Sequence, residues 1–88
     1  MTEILLPARA DAGAAIQTRA DILDMPATTR VIIDASAVTS FSTPMAMVLL
    51  SAAPRTGGLA LRRPSEALVE GFSTLGLFAA MMKMELES

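Results

Sequence analysis

Arg30-Val31-Ile32-Ile33-Asp34-Ala35-Ser36-Ala37-Val38-Thr39-Ser40-Phe41-Ser42-Thr43-Pro44-Met45-Ala46-Met47-Val48-Leu49-Leu50 is the stretch on which the fold turns. It opens with a β-branched run that has no polar alternation, so a strand over Arg30–Asp34 is expected to be covered on both faces, as in a parallel sheet. A hydroxyl-rich loop follows, with Thr39, Ser40, Ser42 and Thr43 ahead of a nearly all-apolar helix read over Pro44–Ala53. Thr43 is the expected N-cap and Pro44 the first helical residue, because a hydroxyl satisfies a free amide there and proline has none to satisfy. Pro54 and Gly57-Gly58 end the helix.

Working outward, proline and glycine cut the chain into alternating strand-like and helix-like blocks. Glu3-Ile4-Leu5-Leu6, stopped by Pro7, reads as a short edge strand. Asp11 caps a helix over Ala12–Met25 with an apolar face of Ala12, Ala15, Ile16, Ala20 and Leu23, and Pro26 closes it. Leu59-Ala60-Leu61-Arg62 is a third strand. Ser65 starts a helix whose face is Leu68, Val69, Phe72 and Leu75, with Gly76 as its C-cap. The alternation in Met82-Lys83-Met84-Glu85-Leu86 predicts a last strand over Ala80–Leu86. The resulting order is β-α-β-α-β-α-β. With right-handed crossovers it predicts an α/β domain over residues 1–88: a four-stranded, mostly parallel or mixed sheet with about three helices packed against it.

Composition narrows function. The chain has 88 residues, 52% of them hydrophobic, with three Phe and neither Trp nor Tyr. One domain is the expectation at that length. Base stacking has almost no side chains to use. A net charge of -2 argues against nucleic acid as partner, since phosphate binding relies on clustered Lys and Arg. Without Cys or His, thiolate chemistry and the commonest general base and metal ligand are missing, so a non-enzymatic protein without cofactor or metal is expected. Met1-Thr2-Glu3-Ile4 does not open like a signal peptide, and no apolar run approaches the ~18 residues of a membrane span. A cytoplasmic protein without membrane insertion is the expectation.

The remaining polar residues make few constellations. Asp21 and Asp24 sit at i, i+3 in the first helix, and Asp34 ends a strand, where α/β sheets place ligand-binding groups. Capping of the following turn is the plainer reading of Asp34. Gly57-Gly58 lies between helix and strand, the reverse of a phosphate loop. Arg55, Arg62 and Arg63 read as solvated charges at element ends.

The second helix is more informative. Met45, Val48, Leu49 and Ala52 are expected to face the sheet, yet Ala46, Met47, Leu50 and Ala53 on the other side are equally apolar. A helix that is apolar all round is fully buried or part of an interface. Full burial is difficult in so small a domain, and Met suits adaptable surfaces, so Met47 and Leu50 are read as a docking surface.

Val31-Ile32-Ile33-Asp34-Ala35-Ser36-Ala37-Val38, followed by a hydroxyl loop and an apolar helix, resembles the STAS signature of anti-sigma-factor antagonists and sulfate-transporter tails. Gly58-Leu59-Ala60-Leu61, Pro64-Ser65-Glu66 and Leu75-Gly76-Leu77-Phe78 extend the likeness, which covers about Val31 to Glu85. On that pattern Thr43 stands where the phosphorylatable hydroxyl of the antagonists stands. Ser42 replaces the family's Asp, and Pro44-Met45 replaces its small Ser-Gly pair, which counts against phosphorylation. Most of the family's N-terminal hairpin and its terminal helix are missing from this reading.

Val48-Leu49-Leu50-Ser51-Ala52-Ala53, Pro64-Ser65-Glu66-Ala67 and the Leu6-Pro7 opening are similar to short STAS proteins associated with bacterial chemotaxis genes. The resemblance implies a regulatory module that docks on a histidine kinase or a GHKL-type, anti-sigma kinase. Ser40, Ser42, Thr43, Met47 and Leu50 would form the contact, with Thr43 the candidate phosphoacceptor. A second copy of the chain is a further candidate partner. The alternative it implies is a structural subunit bracing the ATPase of a lipid-transport complex.

Overall fold

The computed structural model describes residues 2–87; Met1 and Ser88, the ends of the single domain read over 1–88, lie outside the described residues. In chain order the elements are β1 (Thr2–Leu5), β2 (Arg9–Ala10), α1 (Ala12–Leu23), β3 (Val31–Asp34), β4 (Ser40–Phe41), α2 (Thr43–Ala52), β5 (Leu59–Arg62), α3 (Glu66–Thr74), α4 (Phe78–Met82) and β6 (Glu85–Glu87). The main sheet has the order β1-β3-β5-β6, and every neighbouring pair in it is parallel. The expected four-stranded α/β architecture is therefore what the chain adopts. A second, two-stranded ribbon pairs β2 with β4, with Arg9 beside Ser40 and Ala10 beside Phe41.

The strand order steps in one direction only. Right-handed crossovers then carry α1, α2 and the α3–α4 pair to the same face of the sheet. Alternate strand residues show the consequence. Ile4, Val31, Ile33, Leu59 and Leu61 belong to one apolar cluster with Ala15, Ile22, Met45, Leu49, Leu68 and Phe72 of the helices. Ile32 and Ala60 are also buried but stand outside that cluster, because they point to the opposite face.

That second face is covered by long charged side chains. The register sets Glu3, Ile32, Ala60 and Glu85 in one row, and Leu5, Asp34, Arg62 and Glu87 in the next. Arg62 forms ion pairs with Glu3 and with Glu87, the latter at 3.1 Å. Arg30, just before β3, reaches Glu85 and Glu87, each at 2.7 Å. The pairing with Arg62 and Arg30 holds the Glu87 carboxyl below the usual range, and Glu85 and Glu87 push the Arg30 guanidinium up. Solvent screens these partly exposed charges, so their main contribution is cover, and Arg30 Nε is itself buried without an acceptor among the described residues. Arg62 is thus part of a charge lattice rather than the solvated strand-end residue expected from sequence.

Three details depart from the periodic reading. In α1 the buried residues are Ala15, Thr18 and Ile22, whereas Ile16 (73% exposed) and Leu23 (65%) face outward. Apolar residues occur all round this helix, so its pattern did not single out a face. In α2 the buried stripe is Met45, Ala46 and Leu49, so Ala46 faces inward and Val48 and Ala52 are only half-buried. The tail read as one strand over Ala80–Leu86 divides into α4 and β6. Met81 and Met84 are both buried, a three-residue step that a helical turn provides and a strand does not.

Caps follow local chemistry. The Asp11 carboxylate accepts from the Ala14 amide at 2.9 Å, and the Ser65 hydroxyl accepts from the Leu68 amide at 3.2 Å. Gly76, just past the end of α3, has φ 74, a conformation glycine adopts without a Cβ clash.

Ile33 is fully buried at the centre of the sheet, so Ile33→Ala is expected to cost about 2–5 kcal/mol in urea unfolding. Leu5→Ala, at an exposed edge position, is expected to stay within about 0.5 kcal/mol of the parent. Equal effects from the two would contradict the placement of the core.

Candidate functional site

The loop between β3 and α2 is held from its start by Asp34. Its carboxylate accepts from the Ser36 amide at 3.0 Å and from the Ser36 hydroxyl at 2.7 Å, which forms the turn-capping arrangement expected from sequence. Arg63 adds an ion pair that the sequence did not reveal. The Asp34 side chain is only 3% exposed. The two Ser36 bonds, with the Arg63 guanidinium beside them, hold the carboxyl down at about 2 against an ordinary 3.8. Arg63 itself has φ 48, an uncommon conformation for a residue with a Cβ. Its amide donates to the Glu87 carbonyl at 2.7 Å, so the turn is tied to both β3 and β6.

Further along, the loop is stitched to the β1–β2 segment. The Thr39 and Ser40 amides donate to the Ala8 carbonyl at 2.8 and 3.1 Å, and the Thr39 hydroxyl donates to the same carbonyl at 3.1 Å. The Ser42 amide and hydroxyl both donate to the Ala10 carbonyl, at 3.0 and 2.7 Å. Ser42 also accepts from the Met45 amide at 3.4 Å, and its backbone is extended at φ -105, ψ 159. Ser42, not Thr43, is therefore the N-cap of α2, and the helix begins one residue earlier than expected. The reason is reach: a cap side chain bonds the amide three residues on, which from Ser42 is Met45; from Thr43 it would be Ala46, whose amide already donates to the Ser42 carbonyl at 3.1 Å.

This arrangement sorts the five sequence-predicted site residues. Ser42 is half-buried with its hydroxyl engaged inside the fold. Ser40 and Thr43 are exposed, and the Thr43 hydroxyl has no hydrogen-bond partner among the described residues. Met47, one turn after Thr43 on the same side of α2, is 45% exposed. Leu50 is half-buried against the core, so it contributes more to folding than to an outer surface.

Ser40 and Thr43 share a cleft of about 320 Å³ with Thr39, Phe41, Glu70, Gly71 and Thr74. Phe41 anchors its wall, with its ring 4.9 Å from that of Phe72 and tilted by 42°. Gly71 lets α3 come this close: a Cβ there would sit 2.6 Å from Cδ2 of Phe41. The sequence reading missed Phe41, Glu70 and Gly71 as site residues. A glycine inside a helical pattern was the one usable signal among them. The cleft contains hydroxyls and one carboxylate, with no lysine or arginine in its lining. A phosphate on Thr43 would meet the positive end of the helix dipole but no cation; Pro44 has no amide hydrogen, Ser42 engages the Met45 and Ala46 amides, and the Glu70 carboxylate would share the space. Among the described residues there is no grouping of acids that could hold a metal ion, and no helix is long and apolar enough to cross a membrane.

No protein-family model, curated protein or solved structure matches the chain.

Two measurements check this geometry. Ser42→Ala is expected to cost about 0.5–2 kcal/mol through loss of the cap, whereas Thr43→Ala stays within about 0.5 kcal/mol. Urea unfolding of the pair reverses that order only if Thr43 is the cap. For Asp34 the folded pKa lies below the unfolded value, so ionisation stabilises the fold. That stability is complete above about pH 4 and is lost as pH falls toward about 2. The lowered Glu87 carboxyl acts with the same sign. Asp34→Asn is expected to cost about 1–3 kcal/mol at pH 6 and to flatten the decline in urea midpoint between pH 4 and pH 2.

Proposed function

We propose that this chain is a non-enzymatic, STAS-type regulatory module that docks on a signalling kinase of the histidine-kinase or anti-sigma type. The contact runs from Ser40 through Thr43 and Pro44 to Met47. The observation that carries the reading is the strip on α2 where an unbonded Thr43 hydroxyl, Pro44 and Met47 stand exposed one turn apart. Polar and apolar exposure at the start of one rigid helix suits recognition of another protein. The Asp34-Ala35-Ser36-Ala37-Val38 motif and the parallel four-stranded sheet support the family reading. A cytoplasmic location goes with it, since kinases of these types present their catalytic domains there.

Within this reading the module is a constitutive adaptor rather than a phosphorylation switch. Pro44 stiffens the turn, no cation lines the cleft to receive a phosphate, and Glu70 opposes one. A Thr43 hydroxyl that neither caps the helix nor bonds any of the described residues is left to the partner.

Affinity capture from the native cell, followed by binding measurements with the recovered kinase, tests the proposal. Met47→Lys is expected to keep the fold and weaken binding by about 30-fold, the loss of one apolar anchor of ~2 kcal/mol. Thr43→Glu weakens it moderately and Thr43→Ala leaves it nearly unchanged. Stoichiometric phosphate on Thr43 after incubation with the kinase and ATP would overturn the adaptor reading. Recovery of a transporter ATPase in place of a kinase would favour the bracing role.

A further inference from the structure

A groove of about 390 Å³ runs between the C-terminal halves of α1 and α2. Its walls are apolar: Ile22, Leu23, Met25 and Ala27 from one side, Val48 and Ala52 from the other. Its polar lining is Ser51, whose hydroxyl donates to the Val48 carbonyl, and two arginines, Arg19 and Arg55. Among the described residues no carboxylate lines it.

The charges are sorted by side of α1. Asp21 and Asp24 border a separate hollow next to Glu3, Ile4 and Leu5, on the β1 side of the helix. Three other arginines, Arg30, Arg62 and Arg63, are engaged with carboxylates. Arg19 and Arg55 have no carboxylate partner among the described residues. The Arg55 guanidinium is fixed in place because its Nη2 donates to the Pro26 carbonyl at 2.5 Å, while Nη1 is buried without an acceptor among the described residues. Of the four cations without a carboxylate partner among the described residues, Arg9, Arg19, Arg55 and Lys83, two line this apolar groove.

Size selects the class of occupant. A docked protein helix needs an interface on the order of 800 Å² per side. A hollow bounded by nine residues falls instead at the low end of the ~300–1,000 Å³ of small-molecule sites, which combine apolar walls with a few polar groups that orient the ligand. We propose that this groove binds a single-chain amphiphile with an anionic head, its chain lying along Ile22, Leu23, Val48 and Ala52 and its head held by Arg19 and Arg55. Arginine suits both head chemistries available to such a ligand, a carboxylate or a phosphate, because its planar donors match either. The proposal is independent of the kinase-docking strip, which lies at the opposite end of α2.

Titration of the ¹⁵N-labelled full chain with decanoate, decyl phosphate and decyltrimethylammonium, followed by amide shifts, tests it. Saturable shifts over Ile22–Ala27 and Val48–Arg55 are expected with both anions, and binding of the cation at least about tenfold weaker. Tighter binding of decanoate assigns the head to a fatty carboxylate, and tighter binding of decyl phosphate to a lipid phosphate. Arg19→Gln and Arg55→Gln should each weaken anion binding about tenfold, as for one lost hydrogen bond to a charged group. Arg19 is exposed and its side chain makes no hydrogen bond among the described residues, so its variant keeps the test valid if Arg55→Gln loosens the Pro26 turn. Equal binding of the cation, absence of saturation, or shifts confined to the exposed Phe78, Met82 and Leu86 would overturn the assignment. Saturable binding of an acidic amphipathic peptide without any response to decanoate or decyl phosphate would overturn it as well.

Discussion

β3 has to be covered on two faces by a chain whose helices all fall on one. Val31 and Ile33 are met by the helical layer, but Ile32 points away from it and is still almost completely buried. The cover comes from Arg30 and Arg62 with Glu3, Glu85 and Glu87, spread across the strands in register. Much else depends on this solution. It requires β6 to lie beside β5 so that Glu85 and Glu87 face the arginines, and that in turn requires the α3–α4 crossover to return the chain parallel to its neighbour. The C-terminal strand is only three residues long, and two of them, Glu85 and Glu87, carry these ion pairs.

The C-terminal edge of the sheet is where the loop into α2 is organised. Asp34 ends β3, organises the next turn through Ser36, and holds Arg63 at the end of β5 in an uncommon backbone conformation. From there the loop is bonded to the Ala8 and Ala10 carbonyls, which draws β2 and β4 together and aims α2. The loop is therefore built rather than mobile in its bonding, and Thr43 emerges from it in a defined place. A partner meeting Ser40, Thr43 and Met47 would meet a preorganised surface, which lowers the ordering cost of association.

Charge is distributed with a similar economy. Half of the arginines stabilise the sheet face and its turn, and two of those left meet in the groove between α1 and α2. The cleft beside Thr43 contains a carboxylate and hydroxyls and no cation. The two hollows therefore differ in electrostatic preference, and one ligand chemistry would not suit both.

By itself the sequence determined the class of fold, the number of strands in the main sheet, the identity of the central strand and the caps at Asp11 and Ser65. Those features rest on local rules: an unbroken β-branched run, a side chain that can reach an amide three residues on, and proline or glycine at element ends. It also pointed to the loop before α2 and to Met47. What only the tertiary structure decided was the orientation of helices whose residues are apolar all round. Ile16 and Leu23 looked like core and face outward, whereas Ala46 looked like surface and is buried. It decided that Ser42 caps α2, because the Ala10 carbonyl, distant in sequence, fixes that hydroxyl in place. It decided the helical turn before β6, the pairing of Asp34 with Arg63 and the charge cover over Ile32. The charge pairings join residues far apart in the chain, where short-range periodicity carries no information about which charge will meet which.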